Sequence, residues 1–184
     1  MKQKPITRVL AVDVRASRMG FAVFETPCRL LDWGVRVLHG EYPHSSPVAR
    51  LLRAYKPSVL AVRKIKAGGW RDTPGGRTQL RELRSQARRF STLVTAVSET
   101  ALKKFFLQYG KSKKYEIASL VATSFPEIAW KLPPRRKFWN PEDWRMTIFD
   151  AAALGLVFLD SQAGTAAVRQ LLTMEPFRRS PADV

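Results

Sequence analysis

The stretch that decides the fold is RVLAVDVRASRMGFAVFE, residues 8–25. Two runs within it, RVLAVDV and MGFAVFE, have the length and the Val, Leu and Phe content of β-strands, and RASR between them is typical of a turn. The first run carries one carboxylate, Asp13, among its apolar residues. A lone buried carboxylate is costly unless a cation or a hydrogen-bond donor meets it. Asp13 is therefore expected to face such a partner.

The residues that follow extend this hairpin into a sheet. CRLLDWGVRVLHG predicts a third strand, Leu30 to Leu38, closed by Gly40, and three strands with short links indicate an antiparallel meander. SPVARLLRAYKPS predicts a short helix that Ser46 caps and Pro57 ends. The unbroken apolar run in SVLAVRKI predicts a fourth strand that is buried on both faces, as a central parallel strand is.

The second half of the chain reads mainly as helices. A glycine-rich loop, KAGGWRDTPGGRT, precedes a helical pattern from about Thr78 to Ala101, and a strand is expected near Leu102 to Gln108. Further helices are predicted in KSKKYEIASLVATSF and in PEDWRMTIFDAAALGLVFL, with Pro141 in the first turn of the latter. The order predicts an α/β domain with a mixed five-stranded sheet flanked by helices. We expect a single domain over residues 1–174 and a flexible tail over 175–184.

Charge is the most unusual feature of the composition. The 184 residues carry a net charge of +17. The segment from Arg50 to Lys114 contains 17 Lys/Arg and 3 Asp/Glu, which places +14 in about a third of the chain. A field of one sign on this scale attracts a polyanion, so nucleic acid is the leading partner. A basic solubilising surface is the alternative, and an anionic membrane is weaker because no basic amphipathic helix stands apart from the predicted core.

Several kinds of site are excluded by the residue counts. Cys28 is the sole cysteine, which rules out an intrachain disulfide and a thiolate zinc site. The two histidines, His39 and His44, have no metal-ligand spacing around them.

No signal peptide is visible, and no run approaches the roughly 20 apolar residues that a membrane-spanning helix needs. We therefore expect a cytoplasmic protein with no membrane partner.

A second carboxylate, Asp150, poses the same question as Asp13. It precedes AAALGLVF, which is nearly all apolar and must face the core. Two such carboxylates, one from the first strand and one from the last helix, could converge on a divalent metal. Two ions about 3.5–4 Å apart can clamp both oxygens of a phosphodiester displacement. The alternatives are that Asp13 accepts hydrogen bonds from the turn, and that Asp150 pairs with Arg145 or an arginine of the 81–89 group.

The motifs together resemble those of the RuvC-type Holliday junction resolvases in the ribonuclease H-like superfamily. Asp13 and Gly20 match the family's first hairpin, RSQARRFSTLVTAV its Gln-Ala-Arg helix, GKSKKYEIASLVATSF its Gly-Lys helix and DAAALGLVF its closing Asp-Ala helix. The match covers roughly residues 7–160. The resemblance implies a dimeric endonuclease of DNA recombination and repair that uses Mg²⁺ or Mn²⁺. It also implies that Asp13 and Asp150 are the metal ligands and catalytic acids.

The chain departs from the family pattern at the acids themselves. Arg63 replaces the glutamate at the end of the fourth strand, and Thr147 replaces the acid three residues before Asp150. Arg63 would put a permanent cation where a metal needs an anion. It could instead form an ion pair with Asp13 or Asp150. Arg15 also stands where the family has the hairpin glycine.

These departures leave three functions to be weighed. The first is a RuvC-like nucleic-acid-binding protein whose two-metal nuclease site is degraded and which has no cofactor. The second is an active Mg²⁺- or Mn²⁺-dependent endonuclease that uses Asp13, Asp150 and a further acid. Asp143 lies about 10 Å from Asp150 along a helix axis, too far to share one ion directly, and Glu127 has no predicted position. The third is a structural protein that contacts RNA or an acidic partner.

Thirteen residues are candidates for binding nucleic acid. Arg77, Arg81, Arg84 and Arg88 recur at helical spacing and predict one basic stripe. Trp70, in the glycine-rich loop, could stack on an unpaired base. The whole set is Arg15, Arg18, Lys64, Lys66, Trp70, Arg71, Arg77, Arg81, Arg84, Arg88, Lys111, Lys113 and Lys114. It predicts phosphate-dominated, salt-dependent binding, with branched or structured DNA favoured as the partner.

Overall fold

A computed structural model describes residues 8–15, 17–26, 28–38, 46–69 and 72–173, apart from the side chains of 163–165. Its centre is a five-stranded sheet in the order β3-β2-β1-β4-β5. β1, β2 and β3 are antiparallel neighbours, and β4 and β5 run parallel to β1. The expected meander and mixed sheet are confirmed. The strands are β1 Arg8–Val14, β2 Arg18–Glu25, β3 Arg29–Val37, β4 Val59–Arg63 and β5 Leu93–Val97.

Helices follow the strands and cover both faces of this sheet. Three of them begin at hydroxyl caps, since Ser46, Thr73 and Ser98 each accept a hydrogen bond from the backbone N–H three residues on. The helices are α1 Pro47–Tyr55, α2 Pro74–Arg89, α3 Glu99–Leu107, α4 Lys114–Ser124, α5 Pro126–Ala129, α6 Met146–Leu159 and α7 Thr165–Thr173, with a π-helical turn at Asp160–Gly164. Within the described residues, none is long and apolar enough to cross a membrane.

The prediction of one helix from about Thr78 to Ala101, followed by a strand at Leu102 to Gln108, was wrong. Helix α2 ends at Arg89, and Ser91 turns the chain with a φ of +52°. The β-branched run that follows is strand β5. Ser98 then caps α3, which occupies most of the segment where the strand was expected. The arginines of α2 recur at helical spacing, and the apolar residues of LVTAV also fit a helical period over a short window. The strand was therefore predicted as a continuation of the helix.

The two faces of the sheet are covered by different helices. Successive side chains of a strand point to opposite faces. Val9 and Ala11 of β1 therefore join the larger core, which is formed with α3 to α7, and Leu10 and Val12 join the smaller core under α1 and α2. The same alternation places Asp13 on the face that α6 covers. α6 is buried along its whole length, so the first strand and the last helix lie against each other at the centre of the domain.

We expect the substitution Gly155→Ala to destabilise the fold by about 1–3 kcal/mol, although alanine is the better helix former. An added Cβ would lie 2.3 Å from the fully buried ring of Phe24. Gly75→Ala, in α2, is the matched control, because its added Cβ would have no atom within 4 Å. Urea unfolding of both variants measures the difference. Equal stability of the two variants would contradict the close contact of α6 with β2.

Candidate functional site

The candidate site lies where the central strands end. The parallel register pairs Val12 of β1 with Val62 of β4, so the next residues, Asp13 and Arg63, lie side by side. Arg15 follows the end of β1 and is two residues after Asp13, so its side chain lies on the same face of the sheet as that of Asp13. Carboxyl ends of neighbouring parallel strands are the usual place for ligands in α/β sheets.

Helix α6 closes over this edge because Gly20 lets it approach. Gly20 pairs with Asp13 across the hairpin. A Cβ at Gly20 would lie 2.1 Å from the backbone oxygen of Thr147, so any larger residue would push the start of α6 off the sheet. This close contact brings Asp150, one turn further along α6, into the site.

Both oxygens of Asp13 are held by guanidinium groups. The side chain is fully buried, at 0% exposure. Arg15 Nε donates to Oδ2 at 3.1 Å, and Arg63 Nε donates to Oδ1 at 3.0 Å. The two cations thus meet the buried carboxylate from both sides, which is the arrangement that makes a buried charge tolerable.

Asp150 is bound by cations from three different elements. Arg15 Nη2 and Lys114 Nζ each lie 2.8 Å from Oδ2, and Arg63 Nη2 lies 4.0 Å from Oδ1. Lys114, the first residue of α4, also contacts Glu142, which lies 3.6 Å from Arg15 Nη2. We call these six residues the ion-pair cluster: Asp13, Asp150, Glu142, Arg15, Arg63 and Lys114. Its three formal negative charges are matched by three positive ones.

Burial and neighbouring opposite charges have opposing effects on the pKa values of Arg15 and Asp150. Burial alone would lower the pKa of Arg15, but the attraction of Asp13, Asp150 and Glu142 outweighs it, and the pKa is raised above the ordinary value. Burial raises the pKa of Asp150, the charge of Asp13 adds to that shift, and Lys114 and Arg63 oppose it. Arg15 is therefore a permanent cation, and it contacts both acids.

The residues present do not fit a pair of divalent metal ions. Among the residues that the structure describes, no group of three or more His, Cys, Asp or Glu side chains is placed to hold a metal. The two acids that could serve have their oxygens directed at guanidinium and ammonium groups instead. A divalent cation beside these groups would be repelled by their positive charges.

Other acids and polar groups near the site have local partners. Asp150 does pair with an arginine, as one alternative had it, but the partner is Arg15. Arg145, the arginine first suggested, binds Asp143 at 2.6 Å instead. The carboxyl of Asp143 has a lowered pKa for the same reason. Thr147 is buried and its hydroxyl donates to the backbone oxygen of Trp144 at 2.7 Å. It offers no ligand to the cluster.

Glu142 is the member of the cluster that sequence reasoning missed. The last helix was expected to include Pro141 in its first turn, but α6 begins at Met146, because Asp143 and Trp144 form a tight turn with the residues after them. Glu142 therefore lies in a loop and reaches sideways to Lys114. The available signal was PEDW itself, in which a proline is followed by two acids close to the start of a buried helix.

The candidate nucleic-acid-binding residues fall into two groups. Arg15 and Lys114 belong to the ion-pair cluster. The others that the structure describes are exposed, with Lys111 half-buried. They are Arg18, Lys64, Lys66, Arg77, Arg81, Arg84, Arg88, Lys111 and Lys113. Trp70 and Arg71 lie outside the described residues, as do the two histidines and the tail. The first turn of α2 lines a cleft of about 420 Å³ together with Arg15 and Arg63, so the arginine stripe of α2 starts beside the cluster.

Comparison with solved structures identifies the fold. RuvC of Thermus thermophilus matches with a TM-score of 0.61 and 18% identity, over 86% of this chain and 98% of that one. The same protein in complex with a Holliday junction substrate matches with a TM-score of 0.59 and 18% identity, over 86% and 97%. The fowlpox virus Holliday junction resolvase matches with a TM-score of 0.54 and 19% identity, over 84% and 99%. No protein-family model and no curated protein matches the chain. The expected ribonuclease H-like fold of the RuvC type is confirmed.

Proposed function

We propose that this protein binds branched or structured DNA through its basic surface and that its RuvC-type nuclease site is degraded. One observation carries the second half of the proposal. The two acids that match the family motif, Asp13 and Asp150, are neutralised by side chains of the chain itself, at distances of 2.8–3.1 Å. Fixed cations take the place that divalent ions would need. The fold and the similarity to RuvC in complex with a Holliday junction substrate support the first half.

The test is a binding and cleavage series on one preparation. The purified protein is incubated with a labelled four-way junction or with a linear duplex of matched sequence, in buffer that contains EDTA, Mg²⁺ or Mn²⁺. We expect tighter binding of the junction and intact DNA in every metal condition. Metal-dependent cuts that disappear in the Asp13→Asn variant would establish the alternative, an active endonuclease. Indifference to DNA form together with tight binding to structured RNA would favour the third function.

One observation favours the active endonuclease as the second candidate. Glu142 adds a third carboxylate to the cluster, where it contacts Arg15 and Lys114, the two cations that also contact Asp150. Long side chains such as these can move, and DNA phosphates could draw them away from the acids. In that case the cations would bind the DNA backbone, and the acids, which then repel one another, would be available to bind divalent ions.

The arginine stripe of α2 makes a prediction that does not depend on catalysis. Arg84 and Arg88 are both exposed, four residues apart on one helix face. We expect the double substitution Arg84→Ala/Arg88→Ala to weaken binding of all DNA forms alike. It should also lower the slope of log Kd against log salt by about 2, because each arginine would neutralise one phosphate. Fluorescence anisotropy across a salt series measures both quantities.

Arg29→Ala is the matched control for that stripe. Arg29 is an equally exposed arginine, but it starts β3 at the opposite edge of the sheet and pairs only weakly with Glu25, at 3.5 Å. Its removal should leave the slope unchanged. A loss in this variant half as large as that of the double variant would mean that binding follows net charge alone and that α2 is not the DNA-facing surface.

The remaining parts of the proposal rest on composition and resemblance. They are a single domain over residues 1–174, a homodimer as in the resembled family, and a cytoplasmic location. Light scattering of the purified chain tests the second, since a basic monomer of 20.9 kDa would be distinguished at once from a dimer.

A further inference from the structure

The connection between α5 and α6 presents two aromatic rings to solvent. Phe138 is 94% exposed and Trp139 is 75% exposed, the two highest values among the exposed large hydrophobic residues of the described chain. Neither ring is needed to complete the core, which is filled by residues of the sheet and the helices. Exposed apolar groups of this size, next to each other, usually mark a surface that another molecule covers.

The backbone holds the two rings at the tip of a tight turn. Asn140 N–H donates to the backbone oxygen of Lys137 at 3.1 Å, which makes Phe138 and Trp139 the two central residues of a β-turn. Arg136 Nη1 braces the turn by donating to the oxygen of Asn140 at 2.9 Å. Central turn positions normally carry Gly, Asn, Asp, Pro or Ser, for reasons of backbone conformation. The turn itself does not require two bulky rings at these positions.

The charges in the segment that leads into the turn are all positive. From residue 131 to residue 141 the chain contains four basic residues and no acid. They are Lys131, Arg135, Arg136 and Lys137. Lys137 Nζ lies 5.7 Å from the ring centroid of Trp139. A second copy of this chain, itself at +17, would be repelled from such a site. A partner that combines flat π-faces with regularly spaced negative charge fits it.

The turn is also close to the ion-pair cluster. Trp139 is three residues from Glu142, and three residues span at most about 11 Å. DNA that lies along the exposed basic residues near the cluster would therefore meet the two rings. In an intact duplex the base faces are covered by neighbouring base pairs, so stacking on a side chain requires an unpaired base or an opened step.

We propose that the Lys137–Asn140 turn is a stacking site for unpaired nucleotides, on which Phe138 and Trp139 each contact a base while Arg135 and Lys137 bind the flanking phosphates. This inference rests on the proposed DNA-binding function and deepens it. It assigns the preference for branched or opened DNA to this turn, and the affinity for DNA in general to the basic residues elsewhere.

The experiment compares three labelled DNAs with the full chain: an intact duplex, the same duplex with a short single-stranded thymine gap, and a four-way junction. We expect Phe138→Ala/Trp139→Ala to lose about 10-fold or more in affinity for the gapped DNA, and to bind the intact duplex within about 2-fold of the parent. The aromatic variant Phe138→Tyr/Trp139→Phe should keep the preference. Leu107→Ala, which removes a 62% exposed apolar side chain from α3, is the matched control and should change nothing.

The outcomes separate this inference from the proposed function. A parent protein that prefers gapped DNA, with the preference lost in the alanine variant and kept in the aromatic one, supports the inference. An unchanged preference in the alanine variant, or an equal loss on all three DNAs, overturns the inference alone. A change of oligomeric state in the alanine variant would assign the rings to a protein interface and overturn it too. A parent that binds none of the three DNAs overturns the proposed function and the inference together.

Discussion

The substitution Asp13→Asn should lower the free energy of unfolding by about 3–5 kcal/mol, because it removes one partner from a buried set of ion pairs and leaves two guanidinium groups facing a neutral amide. Asp13 is fully buried, and Arg15 and Arg63 each donate to one of its oxygens. For a chain of this length the loss corresponds to a fall in Tm of about 6–20 °C. Urea unfolding, with the midpoint and the slope fitted separately, measures it.

The sign of this effect distinguishes the two leading functions. In a nuclease site that holds metals, neighbouring carboxylates repel one another when the metal is absent, so neutralising one of them stabilises the protein in EDTA. In the ion-pair cluster the same change is destabilising. A higher Tm for Asp13→Asn in EDTA would therefore contradict the proposed neutralised site and favour the active endonuclease.

Asp143→Asn provides the matched control. Asp143 also pairs with an arginine, at 2.6 Å, but its side chain is 31% exposed. Exposed ion pairs contribute little, so we expect a change below about 1 kcal/mol. The amide oxygen of asparagine can still accept the backbone N–H of Arg145, which donates to Asp143 Oδ1 at 2.8 Å. A large effect at both positions would indicate a general sensitivity of the fold to the removal of acids rather than a special role for the cluster.

The environment of Asp13 was largely predictable from the sequence. The burial of Asp13 followed from its place in an apolar strand, and its need for a cation followed from the cost of burying a charge. Arg63 was the expected partner, and the structure places it 3.0 Å away. The turn after β1, which contains Arg15, was also considered as a source of hydrogen bonds to Asp13, and Arg15 Nε donates to Oδ2 at 3.1 Å. The alternation of side chains along a strand also places Arg15 on the face of Asp13.

Other features depend on contacts that no local pattern contains. Lys114 and Glu142 are 28 residues apart and meet because α4 and the loop before α6 converge on Asp150. The strand β5 was missed because five residues are too few for a period to be decided between helix and strand. Phe138 and Trp139 were not among the candidate residues, since exposure of an aromatic residue in a loop is a tertiary property.

The substitution Arg63→Glu tests the neutralised site by adding an acid to the ion-pair cluster, whereas Asp13→Asn removes one. It puts an acid at the end of β4, where the resembled family has one, and changes the formal charge of the cluster from zero to −2. In EDTA the variant should be destabilised by about 3–5 kcal/mol, because the new carboxylate would lie beside the buried Asp13 with only Arg15 and Lys114 left to balance four acids. A divalent ion that binds only the folded state then stabilises it by mass action.

We therefore expect the Tm of Arg63→Glu to rise by about 5–11 °C on adding Mn²⁺ at a hundred times its dissociation constant, and the Tm of the parent to stay unchanged. Thermal unfolding in EDTA and across a Mn²⁺ titration measures both. Arg63→Gln is the control: it loses the cation without gaining an acid, so it should be destabilised in EDTA and should respond to Mn²⁺ less than the glutamate variant does. A parent that is itself stabilised by Mn²⁺ would mean that Arg15 and Arg63 move aside for metal, and the neutralised site would then be a resting state of an active nuclease.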